Sequence, residues 1–183
     1  MNPSFLSRKK ERYIIIYIRD FDMEGENMNQ DKILVVYYSY GGNTEQIVNR
    51  IQKQKECDVL KLEPLVPYTK DYQTLVDDEE SKMEQEEVVE LKPYEIDMSK
   101  YSKVVLGTPV WWYTMTPVMR SFLKQTDLTG KEVSAMITNG GWLGHTVSDM
   151  KKYTPLVSYL DIVFQGHDLE TKQSQIDEWI SRL

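Results

Sequence analysis

The stretch KILVVYYSYGGNTEQIVNRIQKQ, residues 32–54, decides the fold of this 183-residue chain. It opens with a nearly continuous apolar and β-branched run, which is typical of a strand buried on both faces of a parallel sheet. It closes with Ile47, Val48 and Ile51 at the spacing of a helix stripe. The turn between them holds glycines and hydroxyl groups, and it would aim backbone N–H groups and the positive end of the helix dipole at one point. The stretch therefore predicts an anion site, most simply for a phosphate.

The composition indicates one globular domain. Apolar residues make up 40% of the chain, and its length allows one sizeable core. The formal net charge of −7 is concentrated between Asp77 and Glu90, so we expect no nucleic-acid partner. The single cysteine, Cys57, excludes an internal disulfide and any cysteine-rich iron or zinc site, and it fits a reducing compartment. No apolar run approaches the roughly 20 residues that span a bilayer, so we expect a cytoplasmic protein without a membrane partner.

The first 27 residues differ from the rest. A basic cluster followed by an apolar run at 13–18 loosely resembles a signal peptide, but the run is too short and no small-residue cleavage site follows it. Residues 28–32 look like an ordinary start directly before a first strand. The sequence therefore predicts an N-terminal extension at 1–27, outside the natively translated protein, and a domain at 28–183. A genuine edge strand at 13–18 is the alternative, and the intact mass of the protein made from its native gene decides between them.

Strand and helix patterns alternate along the rest of the chain. Apolar runs predict further strands at 59–62, 103–108, 133–138 and 156–164, and helical spacing predicts helices from Pro117, over 147–153 and over 176–183. The acidic segment 72–91 predicts a solvated helix and loop, with a docking face for a basic partner as the alternative. Alternating elements form parallel βαβ units with helices on both faces. We therefore predict an α/β fold, a doubly wound five-stranded parallel sheet in the order 2-1-3-4-5.

In that order the ligand lies outside the carboxyl ends of the first and third strands. Three loops meet there, at 39–44, 109–116 and 139–146. The first offers hydroxyls, an amide and backbone N–H groups without any Lys or Arg, and it lacks the motifs of nucleoside triphosphate and dinucleotide sites. It therefore predicts a monophosphate site. The alternative is a tight strand–helix turn with Thr44 as the N-cap.

The second and third loops predict a site for a flat ring. Trp111, Trp112 and Tyr113 are consecutive, and adjacent aromatic residues in a loop cannot all point inward, so they suggest a stacking platform. A hydrophobic plug or a partner surface is the alternative. In the third loop, glycines beside Trp142 would let the backbone approach a ligand closely. His145 is expected either to touch a ligand or, preferably, to be a solvated residue of the first helical turn, and His167 is expected in a loop.

Together these motifs resemble the flavodoxin-like family, over about 32–183. The segments YYSYGGNT at 37–44, LGTPVWW at 106–112 and TNGG at 138–141 carry the resemblance, which is closest to the branch with a Pro-x-Trp-Trp loop. It implies non-covalent FMN, with the phosphate on the first loop, the isoalloxazine ring against Trp111 or Trp112, and 140–142 covering its polar edge. Gly41 departs from the family, which often has a hydroxyl residue there, so one phosphate hydrogen bond is lost. The cofactor-binding residues implied are Ser39, Gly41, Gly42, Asn43, Thr44, Pro109, Val110, Trp111, Trp112, Tyr113, Asn139, Gly140, Gly141 and Trp142; no catalytic acid, base or metal ligand is assigned.

The resemblance implies electron transfer by an FMN protein with a redox partner protein. An FMN-dependent NAD(P)H oxidoreductase acting on quinones or similar small acceptors is the alternative. Small size and acidic charge favour the carrier, whereas the acidic insertion and the Trp-rich loop, which would frame a substrate pocket, favour the reductase. A cofactor-free flavodoxin-fold protein that binds a partner is a second alternative, and Gly41 and the acidic run are its support.

Overall fold

The computed structural model describes residues 32–69, 74 and 88–183. The predicted extension at 1–27, its alternative edge strand at 13–18 and most of the acidic segment at 72–91 lie outside the described residues. These interpretations stay predictions, as does the domain boundary at 28. Within the described part, no helix combines the length and the apolar character needed to cross a membrane.

The described residues form seven strands and four helices. The strands are β1 (Ile33–Tyr37), β2 (Cys57–Lys61), β3 (Lys103–Trp111), β4 (Thr114–Met115), β5 (Glu132–Asn139), β6 (Ser158–Gln165) and β7 (Asp168–Leu169). The helices are α1 (Asn43–Gln54), α2 (Pro117–Gln125), α3 (Thr146–Met150) and α4 (Gln173–Ser181), and a short 3-10 turn at Met98–Lys100 precedes β3.

The sheet confirms the predicted fold class and strand order. Its five long strands run parallel in the order β2-β1-β3-β5-β6. The predicted count of five strands is too low, because β4 and β7 each add two residues in antiparallel pairing with the end of β3 and of β6. Each is the return arm of a tight hairpin, and two residues are too few to show an alternating pattern in the sequence.

The core lies on both faces of the sheet, as a doubly wound fold requires. Every residue of β1 is buried, which confirms the prediction from its apolar run. Leu34 and Val36 face the side covered by α2 and α3. Ile33, Val35 and Tyr37 face the side covered by α1 and α4. The strand that opens the stretch deciding the fold is therefore enclosed by both helix layers.

Two boundaries differ from the predictions in ways that reshape the ligand edge. Strand β3 continues to Trp111, so Pro109 and Val110 belong to the strand, whereas the prediction placed them in a loop. Pro109 pairs with Thr138 of β5. Gly107, two residues earlier, turns its carbonyl toward β1, and the pairing with β1 ends there, so Pro109 lies where β3 has no neighbour on that side and its missing N–H is tolerated. Helix α3 has only five residues, which is shorter than the predicted 147–153.

The helix starts show one confirmed and one wrong interpretation. Helix α2 begins as predicted, with Pro117 at its first position and Thr116 as N-cap, whose Oγ1 accepts a hydrogen bond from the Met119 N–H at 3.3 Å. Helix α1 begins after Gly42, so Thr44 is not its N-cap. Gly42 takes this place because the chain enters the helix at a φ of +92°, which favours glycine.

Candidate ligand-binding site

The first loop joins the end of β1 to the start of α1. Gly42 has no side chain to cap α1, so the N–H groups of Asn43 and Thr44 are offered to an external acceptor. The hydroxyl of Ser39 accepts from the Glu45 N–H at 3.3 Å and closes the loop on the helix. Thr44 is buried and shares a hydrogen bond of 2.8 Å with Thr138 at the end of β5. The loop is thus fastened to the sheet while its open end presents the N–H groups of Asn43 and Thr44 and the hydroxyl of Ser39; the predicted ligand Thr44 has its hydroxyl turned to the sheet.

Gly107 in β3 permits this close approach of α1 to the sheet. A Cβ at this position would lie 2.8 Å from the Cβ of Tyr37 and 3.2 Å from Cγ2 of Thr44. It would also collide with the terminal methyl of Met136. Only glycine therefore leaves room for the first turn of the helix, and sequence analysis assigned Gly107 no such role.

We expect Gly107→Ala to lower the free energy of unfolding by about 1–3 kcal/mol, the usual cost of overpacking a filled core. Urea denaturation without added ligand measures it. Gly140→Ala is the matched control, because a Cβ there would meet nothing within 4 Å. Equal midpoints for the two variants would contradict the prediction.

Glu45 places a carboxylate in the first turn of α1, close to the predicted phosphate position. It accepts hydrogen bonds from Nζ of Lys61 and from the hydroxyl of Tyr37, each at 2.7 Å. The hydrogen bonds from Lys61 and then Tyr37 lower the pKa of Glu45, and they outweigh the opposing effect of its burial. The carboxylate is therefore ionised but paired with a lysine, which reduces its repulsion of an anion at the helix start.

The second loop is a tight hairpin. Strand β3 ends at Trp111, strand β4 begins at Thr114, and Trp112 and Tyr113 form the turn between them. Their φ angles are +42° and +67°. This left-handed conformation suits the right-handed twist of a hairpin, but the turn normally carries Asn-Gly. Two bulky aromatic residues stand here at a cost in backbone strain, and such strain is characteristic of functional positions.

The aromatic residues of this hairpin differ in their surroundings: Trp111 is half-buried in an aromatic cluster, whereas Tyr113 is exposed. The ring of Trp111 makes edge-on contacts with Tyr38, Tyr40 and Tyr68, with ring centroids 5.0–5.9 Å apart. Tyr113 is 53% exposed and its ring lies 4.6 Å from that of Trp142, which is 66% exposed. The prediction that the consecutive aromatic residues cannot all point inward is confirmed. Trp111 is held in a cluster, and Tyr113 with Trp142 forms an open aromatic surface.

The third loop is fixed by Asn139 and fastened to the hairpin. The amide of Asn139 donates to Asp161 at 2.6 Å, and its oxygen accepts from the Gly141 N–H at 2.7 Å. Both ends of this side chain thus shape the loop. The carbonyl of Tyr113 accepts from the His145 N–H at 2.7 Å. The two loops that sequence analysis assigned to a flat ring therefore form one connected unit.

Asp149 of α3 holds the hairpin and the third loop together, and sequence analysis did not identify it. It is only 8% exposed and accepts from the Thr114 hydroxyl at 2.6 Å, from Lys152 at 2.9 Å and from Nδ1 of His145. Spacings of four and three residues from Asp149 to His145 and to Lys152 were the available signal. The side chain of His145 is 59% exposed, in agreement with the solvated interpretation, yet one of its ring nitrogens is held.

Asp149 predicts a dependence of stability on pH. Burial favours its neutral form, but hydrogen bonds from Thr114, Lys152 and His145 prevail and lower the pKa of Asp149. A lowered pKa gives stability that is present above the unfolded value of about 3.9 and is lost as the pH falls through the folded pKa. We expect Asp149→Asn to cost about 1–3 kcal/mol near neutral pH and to flatten the acid-side decline. Urea denaturation at a series of pH values checks it, and an unchanged acid-side slope would refute it.

The three predicted loops do meet at one edge, beyond the carboxyl ends of β1, β3 and β5. The structure adds a fourth segment, the β6–β7 turn at Gly166 and His167. The Asn43 amide donates to the carbonyl of Gly166 at 2.7 Å, and its oxygen lies 3.0 Å from Nδ1 of His167. Sequence analysis could not bring this turn to the first loop, because it lies more than 120 residues further along the chain.

Known proteins share this architecture. The family model described as flavodoxin matches residues 32–183. A candidate flavoprotein from Bacteroides eggerthii superposes with a TM-score of 0.68 at 24% identity, over 82% of this chain and 96% of that one. The flavoprotein from Lactobacillus acidophilus, solved in complex with FMN, gives 0.66 at 19% identity, over 81% and 98%. No curated protein matches the sequence. At these identities the solved structures establish the fold, and the match over 32–183 establishes that the chain belongs to the flavodoxin family.

Proposed function

We propose that this protein binds FMN non-covalently and transfers electrons to or from a redox partner protein. One observation carries the proposal: the uncapped start of α1 and the joined aromatic and glycine-rich loops lie at the same edge of the sheet. The first suits a phosphate and the second suits a flat ring. A flavin mononucleotide carries both groups in one molecule.

The donor set present fits FMN at each end. At the phosphate end stand the Ser39 hydroxyl and the first amides of α1. At the ring end, Trp112, Tyr113 and Trp142 supply aromatic surface, and the space beside Gly140 and Gly141 is open. FMN, when bound, would supply the redox chemistry, and the chain would orient it and shield it from water. The Lactobacillus acidophilus protein of the same fold, solved with FMN, supports this assignment.

A second candidate is an FMN-dependent NAD(P)H oxidoreductase that reduces quinones or similar small acceptors. The pair of His145 and Asp149 favours it, because Asp149 holds one ring nitrogen of an otherwise exposed imidazole beside the aromatic surface. An imidazole held in this way can move a proton to or from a small molecule at that surface. A carrier that exchanges only electrons needs no such group.

The visible absorption spectrum of the purified protein, followed by titration of the apoprotein with FMN, tests the proposal. We expect flavin bands and saturable quenching of FMN fluorescence. Addition of NADPH without oxygen then separates the candidates, because rapid bleaching favours the reductase and persistent bands favour the carrier. A colourless protein that ignores added FMN would overturn both and would leave a cofactor-free protein that binds a partner.

A further inference from the structure

The β6–β7 turn places the imidazole of His167 beside the first loop at 39–44. No sequence motif predicts this contact. Strand β6 ends at Gln165 and β7 begins at Asp168, so Gly166 and His167 form the whole turn. Gly166 has a φ of +63°, which folds the turn back tightly. Asn43, the first residue of α1, contacts both turn residues through the two ends of its amide. The turn is thus fastened to the start of the helix.

His167 lies where the loop lacks a hydroxyl. A Cβ at Gly41 would meet one neighbour within 4 Å, the Cε1 atom of the His167 ring at 3.9 Å. Gly41 itself carries no side chain, so the loop offers no hydroxyl at this place. The imidazole therefore stands over the gap that the missing side chain leaves.

The hydrogen bonds of Asn43 determine the state of the ring. Its Nδ2 donates to the carbonyl of Gly166, so its Oδ1 is left as an acceptor, and Nδ1 of His167 must donate to it. In the neutral imidazole the proton is then on Nδ1 and Nε2 is a bare acceptor. The oxygens of a phosphate dianion also only accept, so Nε2 can hydrogen-bond to the dianion only after taking up a proton.

The charges around the turn permit this protonation. The first loop contains no charged side chain from residue 39 to 44. Glu45 on α1 reaches Tyr37 and Lys61 on the opposite flank, and Arg50 on the same helix is paired with Asp177 of α4 at 2.7 Å. On its own hairpin the neighbouring charge is the carboxylate of Asp168. His167 is exposed, so water can deliver the proton.

We propose that His167 is a phosphate ligand of the α1 site and that it binds the phosphate of FMN as the imidazolium. The inference rests on the proposed FMN function. The bound pair is an imidazolium and a phosphate dianion, so binding at neutral pH takes up a proton and the affinity for FMN falls as the pH rises above neutral; it also falls well below about pH 6, where the phosphate itself is protonated. A charge-assisted hydrogen bond of this kind changes the affinity roughly tenfold.

The two histidines of the chain make the test direct. Proton NMR follows the ring signals of His145 and His167 across pH, with His167→Gln assigning them. We expect inorganic phosphate and FMN to raise the pKa of His167, and riboflavin, which lacks the phosphate, to leave it unchanged. His145 is the internal reference for inorganic phosphate. An unchanged titration of His167 in phosphate and in FMN would overturn the inference.

Affinity measurements give a second, independent readout. We expect His167→Gln to weaken FMN roughly tenfold at about pH 6, between the second phosphate pKa of about 6 and the ordinary histidine pKa of about 6.5, and not to weaken riboflavin. The double variant Gly41→Ser with His167→Gln returns a hydroxyl to the gap, so it should recover affinity without the histidine-linked pH dependence. Equal FMN affinity of His167→Gln and the original protein at every pH would refute the role.

The outcomes separate this inference from the proposed function. Flavin bands together with an unresponsive His167 would leave FMN binding intact and remove only the phosphate ligand. A colourless protein that ignores added FMN, but whose His167 pKa still rises in inorganic phosphate, would support the phosphate ligand and reject the FMN function.

Discussion

Replacing Trp112 with Asn and Tyr113 with Gly is expected to make the protein a much poorer FMN binder while changing its stability by less than about 1 kcal/mol. Both residues lie in the left-handed region, at φ of +42° and +67°, within the two-residue turn between β3 and β4. Asn-Gly is the sequence that this turn geometry prefers. A bulky side chain costs about 1–2 kcal/mol at each such position; glycine relieves this cost at 113 and Asn relieves part of it at 112, so the double variant relieves about 1–3 kcal/mol of strain.

The aromatic contacts that the variant removes are worth about as much as this strain. Trp112 meets Trp111 edge-on at 6.0 Å, and Tyr113 meets Trp142 at 4.6 Å. Such ring pairs contribute about 0.5–1.5 kcal/mol each, so the two together contribute about 1–3 kcal/mol. The free energy of unfolding without ligand should therefore change by less than about 1 kcal/mol. FMN affinity should fall roughly 10- to 100-fold, because the ring would lose its stacking surface.

Urea denaturation of the apoprotein and FMN titration measure the two effects separately. The matched control replaces Trp112 and Tyr113 with Phe, which keeps the aromatic surface and the strain, so both quantities should change little. A strongly destabilised Asn-Gly variant would show that the aromatic residues serve the fold. Unchanged FMN affinity would show that the hairpin does not touch the ring.

Much of the fold could be predicted because the long strands carry their own signal. The apolar run of β1 and the helix stripe of α1 are local patterns, and their alternation with later elements leaves few topologies. The short strands β4 and β7 could not be predicted, because each forms only when a two-residue turn folds it back on its predecessor. The extent of β3 was also underestimated, because Pro109 is usually a sign that a strand has ended.

The candidate site was predictable where its residues are close in sequence. The first loop and the aromatic run were recognisable from residue type alone. The contacts that hold them were not, because they depend on residues brought from elsewhere: Gly107 under the first turn of α1, Asp149 under the hairpin, and His167 beside Gly41. A glycine that makes room for a neighbour looks in sequence like any other glycine.

Gly144 is the second position at which a large effect is expected. It connects the third loop to the aromatic hairpin, and its φ is +57°. A Cβ there would lie 2.5 Å from Cα and 2.6 Å from the carbonyl carbon of Tyr113, and it would overlap the carbonyl oxygen. That oxygen accepts the hydrogen bond from the His145 N–H. The colliding atoms are backbone, so no rotation of a side chain can relieve them.

We expect Gly144→Ala to lower the free energy of unfolding by about 3–5 kcal/mol, combining overpacking, left-handed strain and a lost hydrogen bond. FMN affinity should fall in the same variant, because the hairpin and the third loop would separate. Urea denaturation and FMN titration measure both effects.

Gly141→Ala in the same loop is the decisive comparison. Gly141 has a φ of +115°, yet a Cβ there would meet nothing within 4 Å. An L residue tolerates +57° better than +115°, so backbone strain alone would make Gly141→Ala the more damaging change. The contact with Tyr113 reverses that order, because only Gly144 has the hairpin backbone against it. If Gly141→Ala proves the less stable of the two, the third loop does not rest on the hairpin, and the aromatic surface must be held in place by the packing of Trp111 alone.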